Sequence, residues 1–516
     1  MPQGCAIRKN QYYDSVFLMG VNSRLSKIAG VRQTAVLMGS EKNKVLLGDM
    51  GIRAREIDEA GPNDLVIAVL ADDEATVRSA LEGVDAALHS MEATTTPSEI
   101  HTLEDGLRVK SDANLAVVTL PGEYVYAEAR KALDAGLHLF IFSSNVSLEQ
   151  ERELKQLALS RGLLVMGPDC GTSILGGVGI GFANAVRRGT IGVIGPSGTG
   201  LQEFTCQVHH AGGGISHAIG TGSHDLSNDI GGSTTLMALE ALERDPSTDV
   251  IALVAKPAGD QTLRVLTARL QACTKPVVVC ILGRSDRAPD AGLEWMPTID
   301  AAARAAIEMC GMPATGWTST LTISDPGLSP DVSARRPPRQ RFLRGLFAGG
   351  TMCYQSQQIL SQAGLTVFSN APLGVDGLLE NPEQSVEHTL IDMGDETYTQ
   401  GRLHPMIDGT LRAQRILAES VDPEVAVLLL DFVLGTNAAK DPVGDIVGAI
   451  IEGRHRRAKE AGNLTVVASI CGTEDDSQDL SQQASLLMEA GVHVFWSNAR
   501  ATDYCIELLR DQQEVA

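Results

Sequence analysis

Short apolar runs separated by amphipathic stretches dominate the chain. From Asn114 onward, Leu115 to Leu120, Leu137 to Phe142 and Leu163 to Met166 read as buried strands, while Val125 to Ala135 and Ser147 to Ser160 between them carry helical periodicity. Alternation of this kind predicts βαβ units and a parallel sheet covered on both faces. The first unit, residues 109–186, is therefore expected to be Rossmann-like. The pattern resumes over 187–314 and again over 341–516. Between these lies 315–340, rich in Ser, Pro and Arg, where Pro326, Pro330, Pro337 and Pro338 break regular structure and predict an interdomain linker. Residues 1–108 differ: strand-like Ser15 to Gly20, helix-like Ser23 to Ala29, strand-like Arg32 to Met38 and Asp64 to Leu70, and a helix from Asp72 to His89 predict a small α+β domain. Asp72-Asp73-Glu74 suit a helix N-terminus, where negative charge complements the macrodipole.

The last two segments read as versions of one another. Ile191 to Gly195 entering Ser197-Gly-Thr-Gly200 matches Gly345 to Gly349 entering Gly350-Thr351, and Asp245-Pro246 before Val250 to Val254 matches Asp422-Pro423 before Val425 to Leu430. Pro276 to Gly283 then matches Val466 to Gly472, and a helix-bearing tail follows each, through Thr298 to Met309 and Ala499 to Leu509. Matches recurring in one order predict an internal repeat of flavodoxin-like units. Shared punctuation of unrelated α/β units is the plainer alternative.

Composition narrows the function classes. A chain of 516 residues is too long for one core and predicts three or four domains, and 52 glycines with 4% aromatic residues favour α/β layers rich in tight turns. The formal charge of -22 argues against nucleic acid as a partner, because such binding needs clustered Lys and Arg. A site for a small anion must then be built locally, from backbone N–H groups and a few placed cations. Nine cysteines occur without a CxxC pair, which reads as reduced thiols of a cytoplasmic protein. No apolar run approaches the length a bilayer needs, so no membrane association is expected.

Candidate chemistry gathers at strand ends. Gly195-Pro-Ser-Gly-Thr-Gly200 follows a strand and opens a helix; the backbone of Gly195, Gly198 and Gly200 can turn freely, and Ser197 and Thr199 add hydroxyl donors for an anion. The sequence is neither a Walker A loop nor a dinucleotide fingerprint, and the alternative is a plain tight βα turn. Gly349, Gly350 and Thr351 form a shorter counterpart, and two such turns facing each other would clamp a phosphate. Gly167, Pro168, Asp169 and Cys170 end another strand, where a cofactor could lie; Cys170 lacks an adjacent base, so packing is the expected role of its thiol. Lys256 stands where a buried strand emerges and could reach an anion on the neighbouring turn, solvent exposure being its alternative. Ile391-Asp-Met-Gly-Asp395 through His404-Pro-Met-Ile-Asp408 combines two acids near a strand end with a proline-fixed histidine; with Gly394, Asp395, His404 and Asp408 it could orient a substrate or move a proton, or could be a loop held by Asx-type hydrogen bonds. The histidines His209, His210, His217 and His224 lack companion ligands at zinc spacing, so no metal site is expected.

These motifs carry a resemblance. Gly167-Pro-Asp-Cys170, Gly192-Val-Ile-Gly-Pro-Ser-Gly198 and Asp245-Pro246 resemble the α subunit of succinyl-CoA synthetase; Leu390-Ile-Asp-Met-Gly394, Asp422 to Leu430 and Gly472-Thr473 are similar to the ligase domain of its β subunit. The whole chain resembles the FdrA family through Tyr13-Asp-Ser-Val16, Arg187-Arg-Gly189, His404-Pro-Met-Ile-Asp408 and Asp431-Phe-Val-Leu-Gly435. The resemblance implies a CoA-binding-type fold for 109–186, ligase-like folds for 187–314 and 341–516, and a subunit of an oxamate carbamoyltransferase in allantoin catabolism. Its implied ligands are carbamoyl phosphate, phosphate, oxamate or oxalurate, and its implied partners are other subunits of the complex. An acyl-CoA synthetase subunit and a non-catalytic scaffold are the alternatives. Departures weigh against phosphoryl relay: Gly283 to Pro289 holds no histidine where the synthetases carry phosphate, Lys256 aligns with an acid that supports it, and Leu120-Pro-Gly-Glu123 replaces the CoA-phosphate loop. CoA is the one cofactor the resemblance leaves open.

Overall fold

Four sheets carry the chain in the computed structural model, which describes residues 2–9, 11, 13, 15–85, 88, 100–283, 293–312, 337, 339–459 and 462–510. Residues 1–113 and 114–516 form two separate compact units. In the first, strands Gln3–Arg8, Leu65–Ala71 and Val31–Met38 pair antiparallel, with Leu65–Ala71 in the centre. The segment expected as strand over Ser15 to Gly20 is helical, Ser15–Leu25. Its short apolar run is ambiguous by itself, but buried Leu18, Val21 and Leu25 recur at helical spacing and face the sheet. The polar start of the chain forms the edge strand Gln3–Arg8. The helix expected from Asp72 begins at Glu74, because Asp73 caps it by accepting the Thr76 N–H at 2.8 Å.

The second unit contains three α/β layers. Leu115–Val118, His138–Ile141 and Val165–Met166 make a three-stranded parallel sheet, joined by the helices Gly122–Asp134 and Leu148–Arg161. The hairpin Thr172–Leu175 and Val178–Gly181, placed within 109–186 on the sequence, instead pairs with Ile215–Gly220 and extends the next sheet. That sheet has seven strands, in the order Glu294–Trp295, Val277–Ile281, Val250–Ala255, Arg188–Gly195, Ile215–Gly220, Thr172–Leu175, Val178–Gly181. The third has six, in the order Val367–Phe368, His388–Asp392, Phe342–Phe347, Val425–Val433, Thr465–Cys471, His493–Phe495. In both sheets the first strand of the module lies centrally; from Arg188 onward the seven-stranded sheet has the flavodoxin-like order 2-1-3-4-5, whereas the six-stranded sheet places His388–Asp392 between the first and second strands, giving 2-3-1-4-5-6. Val250–Ala255 and Val425–Val433 are buried along their whole length, as strands covered on both faces must be. Of the expected linker, 315–336 and Pro338 lie outside the described residues, as do Arg284 to Pro289. Among the described residues no helix is long and apolar enough to cross a membrane.

A buried ionic triad ties the first α/β layer to the second. Lys155 Nζ lies 2.8 Å from both Glu151 and Asp225 and donates to the Thr221 carbonyl at 3.0 Å, and all three charged side chains are essentially inaccessible. Asp225 also accepts the backbone N–H groups of Thr234 and Thr235, which fixes the loop ahead of the helix Ser233–Arg244. Removing the cation strands two carboxylates in low dielectric. Lys155→Ala is expected to destabilise the fold by about 3–5 kcal/mol, read by chemical denaturation, with Lys155→Met in a Glu151→Gln/Asp225→Asn background recovering most of the loss.

Candidate functional site

The two glycine turns meet. Each follows the central first strand of its sheet and opens a helix, Gly198–His210 in one module and Gly350–Gln362 in the other. The Ser197 and Thr351 hydroxyls touch across the junction. A Cβ added to Gly200 would sit 3.0 Å from Thr351 Cγ2, and one added to Gly349 would sit 3.1 Å from Thr199. Gly195 is required for a different reason: a Cβ there would collide with the Val254 carbonyl of the adjacent strand.

Helix starts leave backbone N–H groups without intrahelical partners, so their distribution decides what the junction can hold. Ser197 caps its helix by accepting the Gly200 N–H at 3.4 Å, leaving those of Gly198 and Thr199. The second turn departs from the sequence expectation. The N–H groups of Ala348 and Gly349 both donate, at 2.7 Å, to the carboxylate of Asp431, which is fully buried and paired with Arg412 at 2.8 Å. Gly349 therefore offers no N–H to a ligand, and the donors left at that turn are Gly350, Thr351 and Met352, since the Gly350 helix has no side-chain cap.

Around Gly350 stand three side chains of mixed charge. Lys256 Nζ and Asp392 Oδ2 both crowd the point where a Cβ on Gly350 would sit, the lysine at 3.0 Å. Lys256 follows the strand Val250–Ala255 and makes no hydrogen bond or ion pair among the described residues. Asp392 ends the strand His388–Asp392, is 5% exposed, and accepts the Gly394 N–H on Oδ1 at 3.0 Å. Burial pushes its pKa up to about 6 against the opposing pull of Lys256. His404 completes the group: its Nε2 lies 2.8 Å from where a Cβ on Gly394 would sit, and Asp392 Oδ1 lies 3.3 Å from the same point. Burial lowers the imidazole pKa to about 4. Because His404 Nδ1 accepts the Met406 N–H at 3.2 Å, the neutral ring carries its proton on Nε2, turned toward this site.

Other expected site residues lie apart from this group. Asp408, expected to orient a substrate or move a proton with His404, is exposed and accepts the Thr410 N–H as a cap at 2.9 Å. Asp395 likewise caps the short helix Glu396–Thr399 through the Thr397 N–H at 3.0 Å, and reaches the site only as a negative charge that raises Asp392. Gly167 and Pro168 are buried, Asp169 is exposed, and the fully buried Cys170 thiol is pushed up to about 12, which leaves it a packing group. Asp392 is one of the two acids that the sequence places near this strand end, and it is the one whose carboxylate the fold brings against Gly350. Elsewhere, ligand atoms of His209, Glu474 and Asp475 lie within 4.8 Å of one another, a group that sequence spacing does not reveal. Arg187 stands 3.5 Å from the same His209 nitrogen and opposes a further cation there.

Known proteins share this build. Residues 188–322 match a model described as succinyl-CoA ligase like flavodoxin domain, 346–505 match CoA-ligase, and 1–102 match AllF, heavy metal-associated domain. The uncharacterized protein YahF of Escherichia coli K12 is 40% identical over 488 residues, 94% of each chain. This chain belongs to the succinyl-CoA synthetase-like family that includes YahF. More distant relatives are the α subunit of an ADP-forming succinate–CoA ligase of Methanothermobacter thermautotrophicus, 25% identical over 36% of this chain and 62% of that one, and the α subunit of a malate–CoA ligase of Methylorubrum extorquens, 29% identical over 30% of this chain and 53% of that one.

Two groups that these names suggest meet unsuitable residues. For CoA, the turn ahead of the helix Gly122–Asp134 is packed so that a Cβ on Gly122 would collide with the Asn145 carbonyl, and Glu123 places a carboxylate in the first helical turn, where a phosphate would need positive potential. For a heavy metal, residues 1–102 hold a single cysteine, Cys5, whose thiol pKa is raised by burial, so the paired thiolates of a soft-metal site are lacking.

The charge of Asp392 has a measurable cost. Its pKa is higher folded than unfolded, so ionisation destabilises the fold above about pH 6 and not below about pH 4. Asp392→Asn is expected to raise stability at pH 8 by about 2–3 kcal/mol, with the gain fading as pH falls from 6 to 4, read by denaturant titration across that range.

Proposed function

We propose that this chain is the FdrA-like subunit of an oxamate carbamoyltransferase, interconverting oxalurate plus phosphate with oxamate plus carbamoyl phosphate. The observation that carries this reading is the junction itself: two helix starts whose first N–H groups, and a lysine, have no partner among the described residues, which suits a small dianion such as phosphate. Covalent relay through a phosphohistidine has no carrier. The sequence holds no histidine between His224 and His388, a span that includes the strand Val277–Ile281 and the loop after it. His404, the histidine at the site, has its proton on Nε2 and its Nδ1 filled, the wrong form for a nucleophile there. Direct transfer is then the simpler chemistry: the carbamoyl carbon passes between phosphate oxygen and amide nitrogen while Lys256 and the free N–H groups hold the phosphate charge. The AllF match over 1–102 agrees with the FdrA resemblance.

The CoA-ligase match over 346–505 favours a second reading, an acid–thiol ligase subunit. Calorimetric CoA binding with nucleotide-dependent thioester formation would select it. For the first reading, the full chain with its co-purifying subunits should cleave oxalurate only when phosphate is present. Lys256→Ala should lower kcat/KM for phosphate about 100-fold or more. Turnover within threefold of wild type in that variant removes Lys256 from the reaction.

A further inference from the structure

We propose that Asp392 carries the proton that leaves and rejoins the substrate's amide nitrogen as the carbamoyl group exchanges with phosphate. This rests on the carbamoyl-transfer reading above and adds the proton carrier that it lacks.

The placement is specific. One carboxylate oxygen, Oδ1, is held by the Gly394 N–H at 3.0 Å, and the strand end is fixed because Asn370 both accepts the Asp392 N–H and donates to the Asp392 carbonyl, each at 2.9 Å. The other oxygen, Oδ2, has no hydrogen-bond partner among the described residues, although the residue is 5% exposed. It points at Gly350, the first residue of the second helix, beside Lys256 Nζ. Asp408 and Asp395 each spend Oδ1 on a cap and neither is among the atoms nearest Gly350, and Asp431 is saturated by Arg412, Ala348 and Gly349. His404 is a neutral donor and accepts nothing on Nε2. Among these groups Asp392 alone retains an acceptor position facing the junction.

The step balances without another reactant. In carbamoyl phosphate cleavage the oxamate amide nitrogen attacks the carbamoyl carbon, the C–N bond forms, the bond from that carbon to the phosphate oxygen breaks, and the nitrogen's proton passes to Asp392 Oδ2 and from there to the departing phosphate, which leaves as hydrogen phosphate. In the reverse direction an oxygen of hydrogen phosphate attacks the ureido carbonyl carbon of oxalurate, the C–N bond breaks, Asp392 returns the proton to nitrogen, and the proton lost by the phosphate restores the Asp392 carboxyl. Charged groups bearing on this carboxyl are Lys256 from the neighbouring module, which favours its ionised form, and Asp395 and Asp431, which oppose it; neutral His404 stands alongside. Their balance with burial leaves the group able to give or take a proton near neutral pH.

The test compares both directions across pH 4.5–8.5 in the full chain with its co-purifying subunits. Phosphorolysis should show a descending limb of kcat/KM near pH 6 and carbamoyl phosphate consumption an ascending one. In Asp392→Asn both limbs should vanish, with rates reduced about 10²–10⁴-fold. Asp392→Glu, which keeps a carboxyl on a longer arm, should retain both limbs at reduced rate and serves if the asparagine variant fails to fold. A limb near pH 6 that persists in Asp392→Asn, or a rate within threefold of wild type, overturns the assignment while leaving carbamoyl transfer in place. A wild-type complex that never consumes oxalurate with phosphate overturns both.

Discussion

Two helices in this protein begin against each other, and the electrostatics of that junction constrain most of what surrounds it. The partial positive charges at the starts of Gly198–His210 and Gly350–Gln362 would repel at the separation that the Ser197 and Thr351 hydroxyls define. Negative charge has to be supplied nearby. Asp431 supplies part of it permanently, taking two N–H groups at the mouth of the second turn while Arg412 balances it from behind. Asp392 supplies a variable part, since its charge depends on pH and on Lys256. A phosphate would complete the compensation, which gives the junction a physical reason to bind one.

Polar packing behind the junction holds the two helices in this relation. Glu203, on the Gly198 helix, is fully buried and accepts the N–H of Asn498, the first residue of the last helix of the other module, at 2.9 Å. Asn498 in turn accepts from Gln355 of the Gly350 helix at 2.9 Å. Burial pushes the Glu203 pKa up to about 8, so the group is largely neutral at pH 7 and tolerates an interior that would penalise its charge. The chain Glu203, Asn498, Gln355 links both helix bodies through hydrogen bonds whose loss would leave buried polar atoms unsatisfied. Rigidity at the base is what allows strongly polar ends to face one another.

Sequence pattern and physical chemistry disclosed the modules better than the site. Val250–Ala255 and Val425–Val433 are legible because a strand buried on both faces has to be apolar throughout, and the glycine turns because a strand must turn sharply into its helix. Ser15–Leu25 was harder: its apolar start fits either period, and only burial of Leu18, Val21 and Leu25 decides for helix. The edge strand Gln3–Arg8 is partly exposed and mostly lacks the apolar alternation that marks half-buried strands. Lys256 and His404 could be singled out by their strand-end and loop positions. Their meeting with Asp392 could not, because it depends on contacts between modules far apart in the chain. Asp431 shows the limit most clearly, being a charged residue within an apolar strand whose partners, Ala348, Gly349 and Arg412, only the fold brings together.

The family likeness and the site chemistry pull in different directions, and the residues show where they separate. The two α/β modules bring two helix starts together, a property set by the fold. Chemistry built on that architecture depends on what stands between the helices. Here a lysine with no ionic partner among the described residues occupies one side, an acid of pKa about 6 the other, and the nearby histidine is held as a neutral donor. A phosphohistidine relay needs a nucleophilic imidazole with an acid behind it. Direct exchange between phosphate and an amide needs a cation for the phosphate and a proton carrier for the nitrogen, and Lys256 with Asp392 are of those two kinds.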